Sequence, residues 1–86
     1  MARIEVYTTP SCSYCVRAKR LLTERGLAYE EIDVAGDDAL RTSVIERSGG
    51  RRTVPQIFID GQAIGGYEEL AELDASGELT RLTQAS

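Results

Sequence analysis

Histidine and tryptophan are absent from this chain of 86 residues, which has only two cysteines and two prolines. Without histidine the chain lacks the commonest general base and the commonest metal ligand, so a Cys/His hydrolase is excluded. A mononuclear zinc site would need carboxylates or a second chain to complete its ligand set. The remaining chemistry centres on the two cysteines.

Long apolar runs and an excess of positive charge are missing too. No stretch is long enough for a membrane span, and the first three residues lead directly into a predicted strand rather than a signal peptide. The net charge of −4 argues against nucleic acid, which normally binds a basic face. We therefore expect one domain over residues 1–86, a monomer of the cytoplasm without a membrane or nucleic-acid partner. There, a close pair of cysteines is more often catalytic than structural.

The two cysteines lie in the run 8–15 (TTPSCSYC), between an apolar alternation and a helical pattern. Cys12 stands at the open amino end of the predicted helix, where unpaired N–H groups and the helix dipole favour a negative sulfur. A thiol there ionises more easily than a free one, and the thiolate is the reactive form. Three nearby cations would strengthen this effect: Arg17, Lys19 and Arg20.

Helical spacing predicts the inner side of this helix. Five residues are expected on that side: Tyr14, Cys15, Ala18, Leu21 and Leu22. We therefore predict that Cys12 is the nucleophile and Cys15 the resolving thiol of a thiol–disulfide centre. An inert core pair, a static disulfide and half of a zinc site are the alternatives.

The hydrophobic pattern predicts an α/β fold with the order β-α-β-α-β-β-α-α. Strands are predicted at residues 3–7, 28–34, 56–59 and 62–64. The first helix is predicted at residues 13–25, and the second begins within residues 36–38 and ends at 49–50. A third helix begins near residue 67, and a short fourth follows residue 77. Ser11 is the predicted N-cap of the first helix, and Gly65-Gly66 are expected to end the fourth strand. The first two strands should be parallel, and Asp60-Gly61 predicts a hairpin. A four-stranded mixed sheet flanked by helices on both faces follows.

Two further motifs indicate a binding groove. If the Val54-Pro55 bond is cis, Val54 presents free backbone groups with which a peptide can pair as a short strand. The alternative is a trans proline at a strand start. The segment 65–68 (GGYE) lets a ligand approach the backbone and offers a helix amino end to a carboxylate, although a plain turn also explains it. With the cysteine pair, these motifs predict a groove for a small acidic peptide that contains sulfur.

From Ile4 to Leu82 the chain resembles a glutaredoxin. Four segments carry the resemblance: 7–8 (YT), 12–15 (CSYC), 51–59 (RRTVPQIFI) and 64–70 (IGGYEEL). The resemblance implies a thioredoxin fold, no permanently bound cofactor, and glutathione as co-substrate. It implies that Thr53 and Val54 pair with the glutathione backbone beside a cis Pro55. It also implies that three residues hold the γ-glutamyl end while a fourth lines the groove: Gly66, Tyr67 and Glu68, with Tyr14.

The chain departs from the family pattern at two positions. Ser13 stands where the motif commonly has proline, and Thr9 stands where a lysine often precedes the first cysteine. Another cation must therefore meet the glycine carboxylate of glutathione. Arg51 is the first candidate and Arg52 the second.

The implied function is the reduction of protein–glutathione mixed disulfides and of protein disulfides. The partners are then glutathione and glutathionylated or disulfide-containing proteins. One alternative is an iron–sulfur carrier, in which two chains each give Cys12 to a [2Fe–2S] cluster with two glutathiones; Ser13 favours this idea. The other is a redox-inactive binding module that keeps only the fold.

Overall fold

The computed structural model describes residues 2–84. Its helices and strands follow the predicted order β-α-β-α-β-β-α-α. Their bounds are β1 (Ile4–Thr8), α1 (Ser13–Glu24), β2 (Glu30–Asp33), α2 (Asp38–Arg47), β3 (Gln56–Ile59), β4 (Gln62–Gly65), α3 (Tyr67–Ser76) and α4 (Glu78–Gln84). Among the residues described, no helix is both long and apolar enough to cross a membrane.

The four strands form one mixed sheet in the order β2-β1-β3-β4. β1 and β2 are parallel, whereas β3 is antiparallel to both β1 and β4. Between β3 and β4, Asp60 has φ 52° and Gly61 has φ 81°. Two positive φ values are those of a type I′ turn, which matches the twist of the flanking strands, so the predicted hairpin is confirmed.

Side chains of β1 and β3 alternate between two apolar cores, one on each face of the sheet. The larger core lies under α1, α3 and α4, and its buried members are Ile4, Val6, Ala18, Leu22, Ile57, Ile59, Leu70 and Leu79. The smaller core lies under α2 and consists of Tyr7, Val34, Val44 and Phe58. Helices therefore cover both faces, as the pattern predicted.

Several predicted boundaries are wrong by one to three residues. β2 was predicted over residues 28–34 but spans only Glu30–Asp33, because it pairs with β1 alone and that pairing runs from Glu5 to Thr8. β1 itself lies one residue later than predicted. Helix α1 ends at Glu24 rather than at residue 25, and Gly65 still belongs to β4 instead of ending it.

The sheet topology brings three segments to one end. Since β1 and β3 are antiparallel, the end of β1 meets the start of β3, with Tyr7 opposite Gln56. Since β3 and β4 are also antiparallel, the end of β4 lies there too, with Ile57 opposite Gly65. The cysteine loop, the Val54-Pro55 segment and the start of α3 are thus neighbours.

Candidate functional site

Cys12 is the N-cap of α1. Its backbone is extended, with φ −110° and ψ 112°, and its Sγ accepts a hydrogen bond from the backbone N–H of Cys15 at 3.1 Å. The prediction that Ser11 is the N-cap is wrong, since the helix begins at Ser13 and the residue before it provides the acceptor. The sulfur therefore takes the place of the usual capping oxygen and receives an N–H of the helix end.

The same sulfur lies beside the backbone of Val54. The Cys12 thiol donates to the Val54 carbonyl oxygen at 3.5 Å, and the Val54-Pro55 peptide bond is cis, as predicted. Cys12 is half-buried, so a ligand can reach it. The thiol and the backbone groups that we predicted would dock a peptide are therefore adjacent.

Cys15 faces the core, as the helical spacing predicted. It is 1% exposed, and both cysteines are free thiols. Burial, with a smaller contribution from the hydrogen bond to Cys12, raises the pKa of the Cys15 thiol from 9.0 to about 12. Cys15 therefore keeps its proton near neutral pH.

The placement of Tyr14 on the inner side of α1 is wrong, because its side chain is 49% exposed. Its ring lies against Tyr67 instead of the sheet, with 6.2 Å between the ring centroids. The Arg17 guanidinium lies 5.4 Å from the centroid of the Tyr14 ring. Tyr14 therefore forms a wall beside the amino end of α1 rather than part of the core.

A cavity of about 280 Å³ lies beside this wall. Its lining consists of Tyr14, Arg51, Thr53, Val54, Pro55, Gly66, Tyr67, Glu68 and Glu69. All eight residues that the sequence assigned to glutathione are in this set, so the structure brings them together in one groove. Arg52, the second candidate for the glycine carboxylate, is outside this lining, and its carbonyl oxygen accepts from Arg41 at 3.2 Å. The binding roles themselves stay predictions.

Glu69 is the residue of the groove that sequence reasoning missed. Its Oε1 accepts from the Gly66 N–H at 2.7 Å and from Arg51 Nη1 at 2.9 Å. The bond from the Gly66 backbone, and to a smaller extent the bond from Arg51, lowers the pKa of the Glu69 carboxyl. The missed signal is the spacing of a capping box, in which a glutamate three residues after the N-cap bonds back to its N–H. Glu69 thus holds Arg51 against the groove.

Gly65 gives the Arg51–Glu69 pair the room that it needs. A Cβ built on Gly65 would lie 2.6 Å from Glu69 Oε1 and 2.8 Å from Arg51 Nη1. The φ of Gly65 is +123°, which L side chains rarely adopt. Only glycine therefore fits at this position.

Comparison with known proteins identifies the family. Residues 4–64 match the family model described as Glutaredoxin. The chain belongs to the glutaredoxin family. Glutaredoxin 3 of Escherichia coli (strain K12) is 51% identical over 82 residues, which cover 95% of this chain and 98% of that protein.

Solved glutaredoxin structures have the same fold as this glutaredoxin. The solution structure of the Brucella melitensis glutaredoxin has a TM-score of 0.84 at 44% identity and covers 95% of this chain and 88% of its own. The crystal structure of the buckwheat glutaredoxin–glutathione complex has a TM-score of 0.85 at 32% identity and covers 92% of this chain and 74% of its own. This glutaredoxin is thus a thiol–disulfide oxidoreductase with the thioredoxin fold.

The residues that the structure describes contain no group of three or more His, Cys, Asp or Glu side chains that could hold a metal ion. The iron–sulfur alternative takes one Cys12 from each of two chains and its other two thiolates from glutathione, so it stays a prediction.

Proposed function

We propose that this glutaredoxin uses glutathione to reduce protein–glutathione mixed disulfides and protein disulfides. Cys12 is the nucleophile in this proposal and Cys15 the resolving thiol. The observation that carries it is the 3.5 Å contact between Cys12 Sγ and the carbonyl oxygen of Val54, a residue that lines the groove. A glutathione backbone that pairs with Val54 would hold its own sulfur next to Cys12, and such positioning accelerates a reaction between two groups.

The charges of the groove suit the two carboxylates and the one amine of glutathione. Arg51 offers a guanidinium to the glycine carboxylate on one wall. The amino end of α3 offers the backbone N–H groups of Tyr67 and Glu68 to the γ-glutamyl carboxylate, since Glu69 already occupies that of Gly66. The Glu68 carboxylate is available for the γ-glutamyl amine.

The reaction proceeds by thiol–disulfide exchange. The Cys12 thiolate attacks the glutathione sulfur of a glutathionylated protein, the mixed disulfide breaks, and the protein sulfur leaves as a thiolate that takes up a proton. Cys12 then carries the glutathione. In one route a second glutathione thiolate attacks that glutathione sulfur and releases oxidised glutathione, and Cys12 becomes a thiolate again.

In the other route Cys15 loses its proton and attacks Cys12 Sγ. A Cys12–Cys15 disulfide forms and glutathione leaves. Two further glutathiones reduce this disulfide and supply the two electrons. The reaction consumes reduced glutathione. Since the cytoplasm maintains a pool of reduced glutathione, we propose that the protein acts there.

The proposal is tested by a glutathione-coupled reduction assay on single serine variants. Cys12→Ser should abolish the reduction of a glutathionylated peptide, whereas Cys15→Ser should retain it through the one-thiol route. Mass spectrometry after oxidised glutathione should find a tripeptide on Cys12 in Cys15→Ser and an internal disulfide in the unchanged protein. Retained activity in Cys12→Ser would contradict the proposal.

Arg51 gives a test of binding that is separate from the chemistry. Arg51→Gln should raise the Kd of a glutathione analogue about tenfold, because a charge-assisted bond to a carboxylate is lost. Arg81→Gln is the matched control, since Arg81 forms a salt bridge with Glu78 on α4 and is outside the groove lining. Isothermal titration calorimetry measures both. Equal effects of the two variants would remove Arg51 from the proposed site.

A further inference from the structure

The route through Cys15 requires negative charge on a buried sulfur. Cys15 is 1% exposed, and in the attacking step its S–H bond must break before the new S–S bond forms. Burial disfavours that charge, so any fixed cation close to Cys15 lowers the barrier of the step. Cys12 and the backbone of Thr9 also act on this thiol, but neither is a cation.

Lys19 is a cation that lies one helical turn after Cys15. It lies four residues after Cys15 in α1, and side chains at this spacing are neighbours on one helix face, with about 5–6 Å between their Cβ atoms. Lys19 is more enclosed than a typical surface lysine, since its side chain is 29% exposed. Its charge also lowers the energetic cost of ionising Cys15 in the folded protein.

Two neighbouring strands hold Lys19 in this position. Its Nζ donates to Glu31 Oε2 at 3.0 Å, and the buried Thr8 donates its hydroxyl to the same oxygen at 3.0 Å. Thr8 ends β1, the strand that leads into the cysteine loop, and it is 2% exposed. The ammonium of Lys19 is therefore fixed to the sheet through Glu31 rather than free to extend into water.

We propose that Lys19 is a positioning residue for the resolving step, and that Glu31 both orients it and partly offsets its charge. As Cys15 releases its proton to water and attacks Cys12 Sγ, the Lys19 ammonium stabilises the sulfur anion. The Cys12–glutathione bond then breaks, and the glutathione thiolate leaves. This inference depends on the role of Cys15 in the proposed function.

Two substitutions separate this role from simple support of the fold. Lys19→Met and Glu31→Gln break the same ion pair, so a loss of structural support would change the rate in the same direction. Their charges are opposite, however. If the charge matters, Lys19→Met should slow resolution about fivefold and Glu31→Gln should speed it about two- to fivefold, since partly exposed charges interact weakly. Glu31→Gln keeps an oxygen acceptor for Thr8.

The experiment follows one turnover. The protein is mixed with oxidised glutathione, quenched with acid at successive times, and analysed by mass spectrometry for loss of the tripeptide from Cys12. Lys19→Arg keeps the charge and should keep the rate within about twofold. Arg25→Met is the matched control, because Arg25 is the C-cap of α1 and its ion pair with Asp74 lies away from the cysteines; its rate should not change.

The Cys15→Ser background removes the resolving step, because no sulfur at position 15 can attack Cys12. There the tripeptide leaves only by attack of free glutathione, and Lys19→Met should not change that rate. Equal changes in both backgrounds, or changes of the same sign in Lys19→Met and Glu31→Gln, would overturn the inference. If the unchanged protein never loses the tripeptide without added glutathione, the proposed resolving role of Cys15 fails instead.

Discussion

Cys12 performs two tasks with one atom, because its sulfur both caps α1 and is the proposed nucleophile. The hydrogen bond from the Cys15 N–H brings a helix-end donor to the sulfur, and such donors stabilise an anion more than a neutral group. A capping hydroxyl would serve the helix equally well but would not perform the exchange chemistry. Under the proposed function, the exchange chemistry rather than the helix cap determines the residue type at this position.

Substitutions at Cys12 should separate the two tasks. Cys12→Ser keeps a capping oxygen, whereas Cys12→Ala removes the acceptor, so Cys12→Ala should have a free energy of unfolding about 1 kcal/mol below that of Cys12→Ser. Both should be inactive. Urea unfolding of the two variants measures the difference. Equal stabilities would show that the cap observed here contributes nothing.

Glycine at position 65 is required for a different reason from glycine in the hairpin turn. Gly65→Ala should lower the free energy of unfolding by about 2–3 kcal/mol, because it adds a collision with Glu69 and Arg51 to the backbone strain. Gly61→Ala is the control: its φ is +81° but nothing lies within 4 Å of the added Cβ, so it should cost only about 1 kcal/mol. Gly65→Ala alone should also weaken binding of a glutathione analogue. Similar losses in both variants would contradict this account.

At the scale of the elements, the start of α3 is held by one carboxylate. Glu69 bonds to the Gly66 N–H and to Arg51, which joins the helix to the segment before β3. Since its pKa is lower in the folded protein than its usual 4.5, the carboxylate stabilises the fold above that pH. This contribution is lost as the pH falls below 4.5 through the lower value of the folded state.

The stability of a Glu69→Gln variant should therefore depend less on acid pH. The fall in free energy of unfolding between about pH 5 and pH 3 should be smaller than in the unchanged protein, because one carboxylate with a lowered pKa has been removed. Glu72→Gln, an exposed position on the same helix, is the control and should leave the fall nearly unchanged. Urea titrations at both pH values test this. A fall as steep in Glu69→Gln as in the unchanged protein would contradict it.

Local signals predicted elements well where the sequence itself marks their ends. The bounds of β3 are confirmed, because Pro55 precedes it and Asp60-Gly61 follow it. β2 was predicted too long at both ends, since residues 28, 29 and 34 lie outside its pairing with β1, and the extent of a pairing is not a local property. The cap at Cys12 was missed because thiols are uncommon N-caps.

The residues of the site were predictable from local motifs, but the contacts between them were not. The residues of the groove were predictable because they occur in short motifs whose order and spacing are those of the family. The contacts of Glu69 with Arg51 and of Thr8 with Glu31 join residues 18 and 23 positions apart, so only the folded chain brings them together. The contact of the Tyr14 ring with Tyr67 likewise joins residues that are far apart in the sequence.

At the scale of the whole molecule, the last helix completes the larger core although it is far along the chain from the cysteines. Leu79 of α4 is 1% exposed and belongs to the same cluster as Val6 and Ile57 of the central strands. Those strands carry the cysteine loop and the Val54-Pro55 segment at one end. Packing of α4 therefore supports the site through the sheet.

Truncation of Leu79 should measure this support. Leu79→Ala should lower the free energy of unfolding by about 3 kcal/mol, the usual cost of a cavity in a core. Leu82→Ala, at a half-buried position of the same helix, should cost clearly less. At temperatures where both variants stay folded, kcat/KM should be unchanged. Thermal unfolding followed by circular dichroism compares them, and a loss in Leu79→Ala no larger than that in Leu82→Ala would show that Leu79 is not the main contact of α4 with the core.

The hydrogen bond between Cys12 and the Val54 carbonyl oxygen couples the state of the thiol to the backbone of the groove. While Cys12 holds its hydrogen, that oxygen has a partner within the chain. Once the hydrogen leaves, the oxygen faces a bare sulfur and is open to an amide from an incoming strand. In the proposed function, the loss of the Cys12 proton therefore also frees the Val54 carbonyl oxygen to pair with the backbone of the incoming glutathione.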